Sequence, residues 1–242
     1  FVVGNDTPEV TIDGSPGAIT AALGTDGLHY LPARNFNGRL QLVAVIQDHG
    51  NSGSGGPGTE TVTIPITVNA INDDPTITAP APTPASALVV DEDTPVEFSA
   101  ANGTQITVAD VDLAESGNSM RVTIVANNGT FTLDTIAGLT FETGDGAADS
   151  SMTFRGSQAA VNTAFNGAVF TPTANFYGPT TLSITVNDLG NTGGGPSFGG
   201  KDVSRVVNLR FTAQNDFPVI VVDPNSLTTP EDVPGGLPIQ AI

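Results

Sequence analysis

The sequence predicts an all-β chain of tandem antiparallel β-sandwiches joined by short acidic linkers, and three observations carry that expectation. The 242 residues repeat themselves at offsets of 139 to 143. Apolar and polar residues alternate in runs rich in Val, Ile and Thr, the period-two pattern of a half-buried strand. Clusters of Gly, Asn and Asp separate those runs, as turns require.

The repeat is read from ordered matches. Thr11-Ile12-Asp13-Gly14-Ser15 sets beside Thr153-Phe154-Arg155-Gly156-Ser157, an offset of 142. After a two-residue adjustment, Tyr30-Leu31-Pro32-Ala33-Arg34-Asn35-Phe36-Asn37-Gly38 falls on Phe170-Thr171-Pro172-Thr173-Ala174-Asn175-Phe176-Tyr177-Gly178. Val45-Ile46-Gln47-Asp48-His49-Gly50-Asn51 then falls on Thr185-Val186-Asn187-Asp188-Leu189-Gly190-Asn191. Each copy ends in an acidic joint, Asn72-Asp73-Asp74-Pro75 and Asn215-Asp216-Phe217-Pro218, 143 apart; Glu92-Asp93 and Glu231-Asp232 are 139 apart. Residues 1–74 therefore read as the later part of one repeat, 75–217 as a complete repeat, and 218–242 as the start of a third. Such an array makes its contacts mainly between sequence neighbours. The chain opens Phe-Val-Val without Met and is expected to be a segment of a longer one.

Strands are expected at Thr61–Val68, Gln105–Val108, Met120–Val125, Thr181–Val186 and Val203–Phe211, which alternate and are rich in β-branched residues. Pro65 inside its run points to an edge strand or a bulge. A short helix is expected from Ser157 to Phe165, capped by Ser157, with Val161 and Phe165 four apart on one face. The first copy repeats the signal, with Ser15 as cap, Pro16 at the first helical position, and Ile19 and Leu23 as the apolar pair.

Composition narrows the function. There are 25 acidic residues, 18 of them Asp, against 7 basic ones, for a net charge of −18. Phosphates are bound by clustered Lys and Arg, so this balance argues against nucleic acid and against anionic membranes, and favours cations. No cysteine is present, which removes disulfides and thiolate metal sites. No apolar run approaches the ~20 residues of a helical membrane span, so direct membrane insertion is not expected.

The acids sit at telling places. Asp110 and Asp112 follow a strand, and in an extended segment their carboxylates would leave the same face. Asp188 ends a strand and opens a Gly-rich loop. Asn72, Asp73 and Asp74 lie in the joint. Asp and Asn also populate ordinary turns, but this grouping at strand ends and joints suits calcium, which takes six to eight hard oxygens at ~2.3–2.6 Å.

At this point the chain resembles the cadherin-like tandem repeats of large bacterial cell-surface and adhesin proteins, a branch of the immunoglobulin-like sandwiches. In cadherins the joint reads Asp-x-Asn-Asp-Asn-x-Pro, an x-Glu-x lies early in each domain, an Asp-x-Asp follows, and a later Asp precedes a Gly-containing loop. Here the order is Asn72-Asp73-Asp74-Pro75, Glu92, Asp110 with Asp112, and Asp188, with Asn215 and Asp216 at the next joint. The resemblance implies bound Ca2+ held by those residues. It has departures: Ala70 and Ala213 replace the joint's first acid, Phe217 stands where a polar residue is usual, and the family's Asp-Arg-Glu motif is missing, with Asp145 and Asp149 as its nearest substitutes. One or two ions per joint, rather than three, are expected from the available oxygens.

No enzyme is expected. Asp48 and His49 are adjacent, but strand neighbours point to opposite faces, and His29 and His49 align with Val169 and Leu189 in the next copy. Trp is absent, so carboxylate pairs lack a sugar platform, and Gly193-Gly194-Gly195 has no following Lys. The expected function is a calcium-rigidified structural or adhesive segment of a long extracellular surface protein or filament. Its partners are neighbouring repeats, other copies of the protein, or a cell-surface glycan or protein. The alternative is a binding module that recognises a glycan or protein through the Gly-rich loops 50–58 and 189–200. A half repeat should also leave an apolar face open, including Ile12, Tyr30, Val43, Val45 and Val62, for strand addition or for the rest of a longer chain.

Overall fold

The computed structural model describes residues 2–3, 9–24, 27, 29–50, 54–116, 118–190 and 200–217. The expected third repeat with Glu231 and Asp232, and loop positions 51–53 and 191–199, lie outside the described residues. The described chain is mostly strand, in several sheets whose pairings are antiparallel with one exception, and helix is sparse. It divides into two compact units, the first of Phe1–Asp73 with Gly190–Gly199 and the second of Asp74–Leu189 with Gly200–Ile242.

The first unit contains β1 (Val2–Val3), β2 (Thr11–Ile12), helix α1 (Pro16–Ala22), β3 (Gly38–Gln47) and β4 (Thr59–Val68). Ser15 Oγ accepts from the Ala18 N–H at 3.4 Å and Pro16 opens the helix, as the sequence signal requires. β3 and β4 pair from Gly38 with Val68 to Gln47 with Thr59, in unbroken register past Pro65. Pro65 thus marks an edge rather than a bulge: among the described residues β4 has β3 alone as partner.

The second unit adds β5 (Thr76–Thr78), β6 (Leu88–Asp91), β7 (Val96–Phe98), β8 (Thr107–Ala109), α2 (Val111–Ser116), β9 (Met120–Ala126), β10 (Gly129–Thr132), β11 (Leu139–Thr143), β12 (Ser151–Gly156), α3 (Gln158–Phe165), β13 (Ala168–Pro172), β14 (Gly178–Asn187) and β15 (Asp202–Thr212). Six strands form one sheet in the order β11-β12-β9-β14-β15-β6, where β6 runs parallel to β15; β10-β13-β7 form another, and β5 pairs with β8. Alternation does the work. Every second residue of β9 and β14 is buried, so Val122, Ile124, Leu182, Ile184 and Val186 join one core with Phe98, Phe131 and Phe170 of the smaller sheet. Phe170 stacks on Phe211 at 6.0 Å, and Phe154 meets Phe165 of α3 edge-on at 6.5 Å. Each such ring contributes roughly 1.5–3 kcal/mol of burial.

The local geometry of the two copies coincides. β1–β2 retrace β11–β12, with Val3 opposite Thr11 as Thr143 is opposite Thr153. β3–β4 retrace β14–β15, where Gly178 pairs with Phe211 and Asn187 with Asp202. Asn35 and Asn175 both turn left-handed (φ 61° and 57°), as do His49 and Leu189 (54° and 62°). His49 therefore occupies a turn beyond β3, not a strand, and what recurs at its position is backbone conformation rather than a side chain.

One element differs. Residues 29–33 have no regular structure where the second copy forms β13. Tyr30 is 48 % exposed, whereas its counterpart Phe170 is fully buried. β13 is a strand because β10 and β7 flank it, and neither has a counterpart among the described residues of the first unit. Strand preference follows partners more than intrinsic propensity.

Candidate metal centre

Three strand ends converge at one end of the second unit. β5 begins as Thr76 pairs with Ala109, the last residue of β8, so Pro75 and Asp110 follow that rung and Asp74 lies one residue beyond Pro75. α3 holds β8 with amide side chains in place of a strand: Asn162 Oδ1 accepts from Val108 N–H at 2.8 Å while its Nδ2 donates to Val108 O at 2.9 Å, and Gln158 Oε1 accepts from Asp110 N–H at 2.8 Å. The polar pair was not anticipated from the sequence, yet its spacing of four puts both amides on one helix face.

Asp110 is 4 % exposed. Its Oδ1 accepts from the N–H groups of Asp112 at 2.9 Å and Leu113 at 3.4 Å, which is how an Asp caps a helix. The extended Asp110–Asp112 segment expected from the sequence is therefore corrected. The chain turns helical at Val111, because the capping carboxylate satisfies the first helical N–H groups, and the two acids do not share a strand face. The other oxygen, Asp110 Oδ2, is buried without a hydrogen-bond partner. Burial pushes this carboxyl above the usual carboxylate range; the Asp112 and Leu113 N–H groups pull it back, and the charges of Asp112 and Asp188 push it up again. Asp188, 1 % exposed at the end of β14, accepts from Lys201 N–H at 2.7 Å through Oδ1.

The nine candidate ligands separate into two groups. Asp74, Asp110, Asp112 and Asp188 belong to the end just described; Asn72 and Asp73 precede Asp74 in the chain, in the last residues of the first unit. Glu92, Asn215 and Asp216 belong to the opposite end. Glu92 is buried, its N–H donates to Thr212 O at 3.0 Å, and its Oε1 accepts from Gln214 N–H. Thr212 ends β15, ten residues of β14 away from Asp188, which at ~3.3 Å per residue is about 30 Å. Asn72 and Asn215 share a detail: each Nδ2 donates to the carbonyl of the following Asp, at 3.1 and 3.5 Å. Asp145 and Asp149 are engaged locally, Asp149 Oδ2 accepting from the N–H groups of Asp145 and Gly146 and Asp145 Oδ1 from that of Ala147.

Among the described residues, no three His, Asp or Glu side chains are arranged to hold a metal ion. A shell at Asp110 would need carbonyl, amide or water oxygens beside its carboxylates, which hard cations accept. Comparison with protein-family models, with curated proteins and with solved structures finds no match to this chain.

Proposed function

We propose that this chain is a non-catalytic segment of a long extracellular repeat protein, a cadherin-like β-sandwich array in which calcium fixes the end of each repeat that receives the preceding joint. The carrying observation is the orphaned Asp110 Oδ2. Two N–H groups reach Oδ1, but Oδ2 is buried with nothing to offset its lost hydration, and the neighbouring charges of Asp112 and Asp188 further disfavour the ionised form. A divalent cation bound there would offset these costs by its attraction for all three carboxylates. Asp74, Asp110, Asp112 and Asp188, all of the second unit, offer hard oxygens of the type calcium takes. Calcium here would fix the strand ends at this end of the second unit, stiffening each repeat of a stalk or filament. Glu92, Asn215 and Asp216 would serve the next joint in the same way.

Thermal melting of the 242-residue chain in calcium and in chelator tests this. Calcium at 100 times its dissociation constant should stabilise the second unit by ~2.7 kcal/mol, and Asp110→Asn should remove the gain. Identical melting curves in calcium and chelator would refute the metal reading.

A further inference from the structure

We infer that the open sheet of the first unit accepts a segment of this same repeat type, which pairs with β3 as β9 pairs with β14 and with β4 as β6 pairs with β15. The second unit shows what covers these positions. β9 runs antiparallel to β14 from Leu182–Ala126 to Asn187–Arg121, and β6 runs parallel to β15 from Leu209–Leu88 to Thr212–Asp91. Across the face lie Phe98, Phe131 and Phe170 of the smaller sheet.

The same sites are bare in the first unit. Ile46 is 60 % exposed where Val186 is 0 %, and Ile64 is 46 % exposed where Val207 is 0 %. None of the described residues 9–73 is buried. The β3 edge is also nearly unguarded: Arg39 is the only charged residue of the strand, whereas free edges are usually blocked by charge or Pro. Pro65 does so within β4, ahead of Ile66–Val68, the positions that match the β6-paired end of β15. The occupant's pattern is that of Met120–Ala126, alternating apolar residues on the core face, followed by a Phe-bearing strand such as Gly129–Thr132. This rests on strand pairing alone and is independent of calcium.

The test extends the full chain at Phe1 with a second copy of residues 75–140, so that the junction follows the match of β1 to β11. Hydrogen exchange is read at β3 and β14. The expected result is protection of the Leu40–Ile46 amides on the order of 100-fold above the unextended chain, lost again in Ile46→Asp while β14 is unchanged. Equal exchange at β3 in both chains overturns the inference. So does an unextended chain that sediments as a dimer, keeps β9 and β14 protected within each chain and becomes monomeric on Ile46→Asp, because the β3–β4 faces of two copies would then cover each other in place of a β9-like segment.

Discussion

Asp188 Oδ1 accepts the Lys201 backbone N–H at 2.7 Å and so closes the base of the Gly-rich loop that follows β14. Asp48 does the same in the first copy, accepting from Gly50 at 2.9 Å and Gly58 at 2.8 Å, contacts that hold its carboxyl below the usual carboxylate range. The Asp at this repeat position thus has a local task in both copies. Any metal role of Asp188 is added to loop closure and does not replace it.

The two tasks separate by substitution. Asp188→Asn keeps an acceptor for Lys201 and removes the charge, so it should leave stability in chelator nearly unchanged while abolishing most of the calcium gain. Asp188→Ala also leaves the half-buried Lys201 N–H without this acceptor and should cost a further ~1 kcal/mol in chelator. Urea melts of both variants, with and without calcium, check the pair.

Asp110 gives the metal-free protein a characteristic pH response. Its folded carboxyl titrates above the unfolded one, so the folded state binds the proton more tightly. That contribution is complete below the unfolded value of ~3.9 and is lost as pH rises through the raised folded value. In chelator, stability should therefore fall across that window, and Asp110→Asn should flatten the fall. With calcium bound the carboxylate is the favoured form and the slope should reverse. Denaturant midpoints measured from pH 4 to 7 decide it.

Burial rather than sequence similarity sets mutational cost in the two copies. Phe170→Ala should destabilise the second unit by ~3–5 kcal/mol, since the ring is fully buried against Phe211. Tyr30→Ala at the matching position should stay within about 0.5 kcal/mol, because that ring is half exposed. Comparable losses at both positions would mean that the first unit packs a core in solution.

How far the sequence was legible follows from range. Elements set by local chemistry were readable: the Ser15 and Ser157 caps lie where expected, and the alternating runs at Met120 and Thr181 became β9 and β14. The Asp110 turn was misread because Asp-Val-Asp after a strand suits either an extended segment or a helix cap. The choice falls to the Asp112 and Leu113 N–H groups that reach its oxygen. The absence of a strand at 29–33 was not readable either, since Tyr30-Leu31-Pro32 resembles Phe170-Thr171-Pro172 and only missing neighbours distinguish them. The division of the acids into two ends needed the parallel pairing of β6 with β15, a non-local fact.

That division supplies the last test. If Glu92 served the same ion as Asp110, removing its charge would weaken binding there. At about 30 Å, beyond the reach of direct ligation and across a screened path, it should not. Glu92→Gln retains an acceptor for the Gln214 N–H, so the end of β15 stays closed. Calorimetric titration should then show calcium affinity at the Asp110 end within twofold of the parent, while Asp112→Asn lowers it at least about tenfold, or ~1.4 kcal/mol. Effects at sites this far apart should also add in the double variant. Affinity lost at the Asp110 end in Glu92→Gln alone would mean that the two groups act as one, against the strand register that separates them.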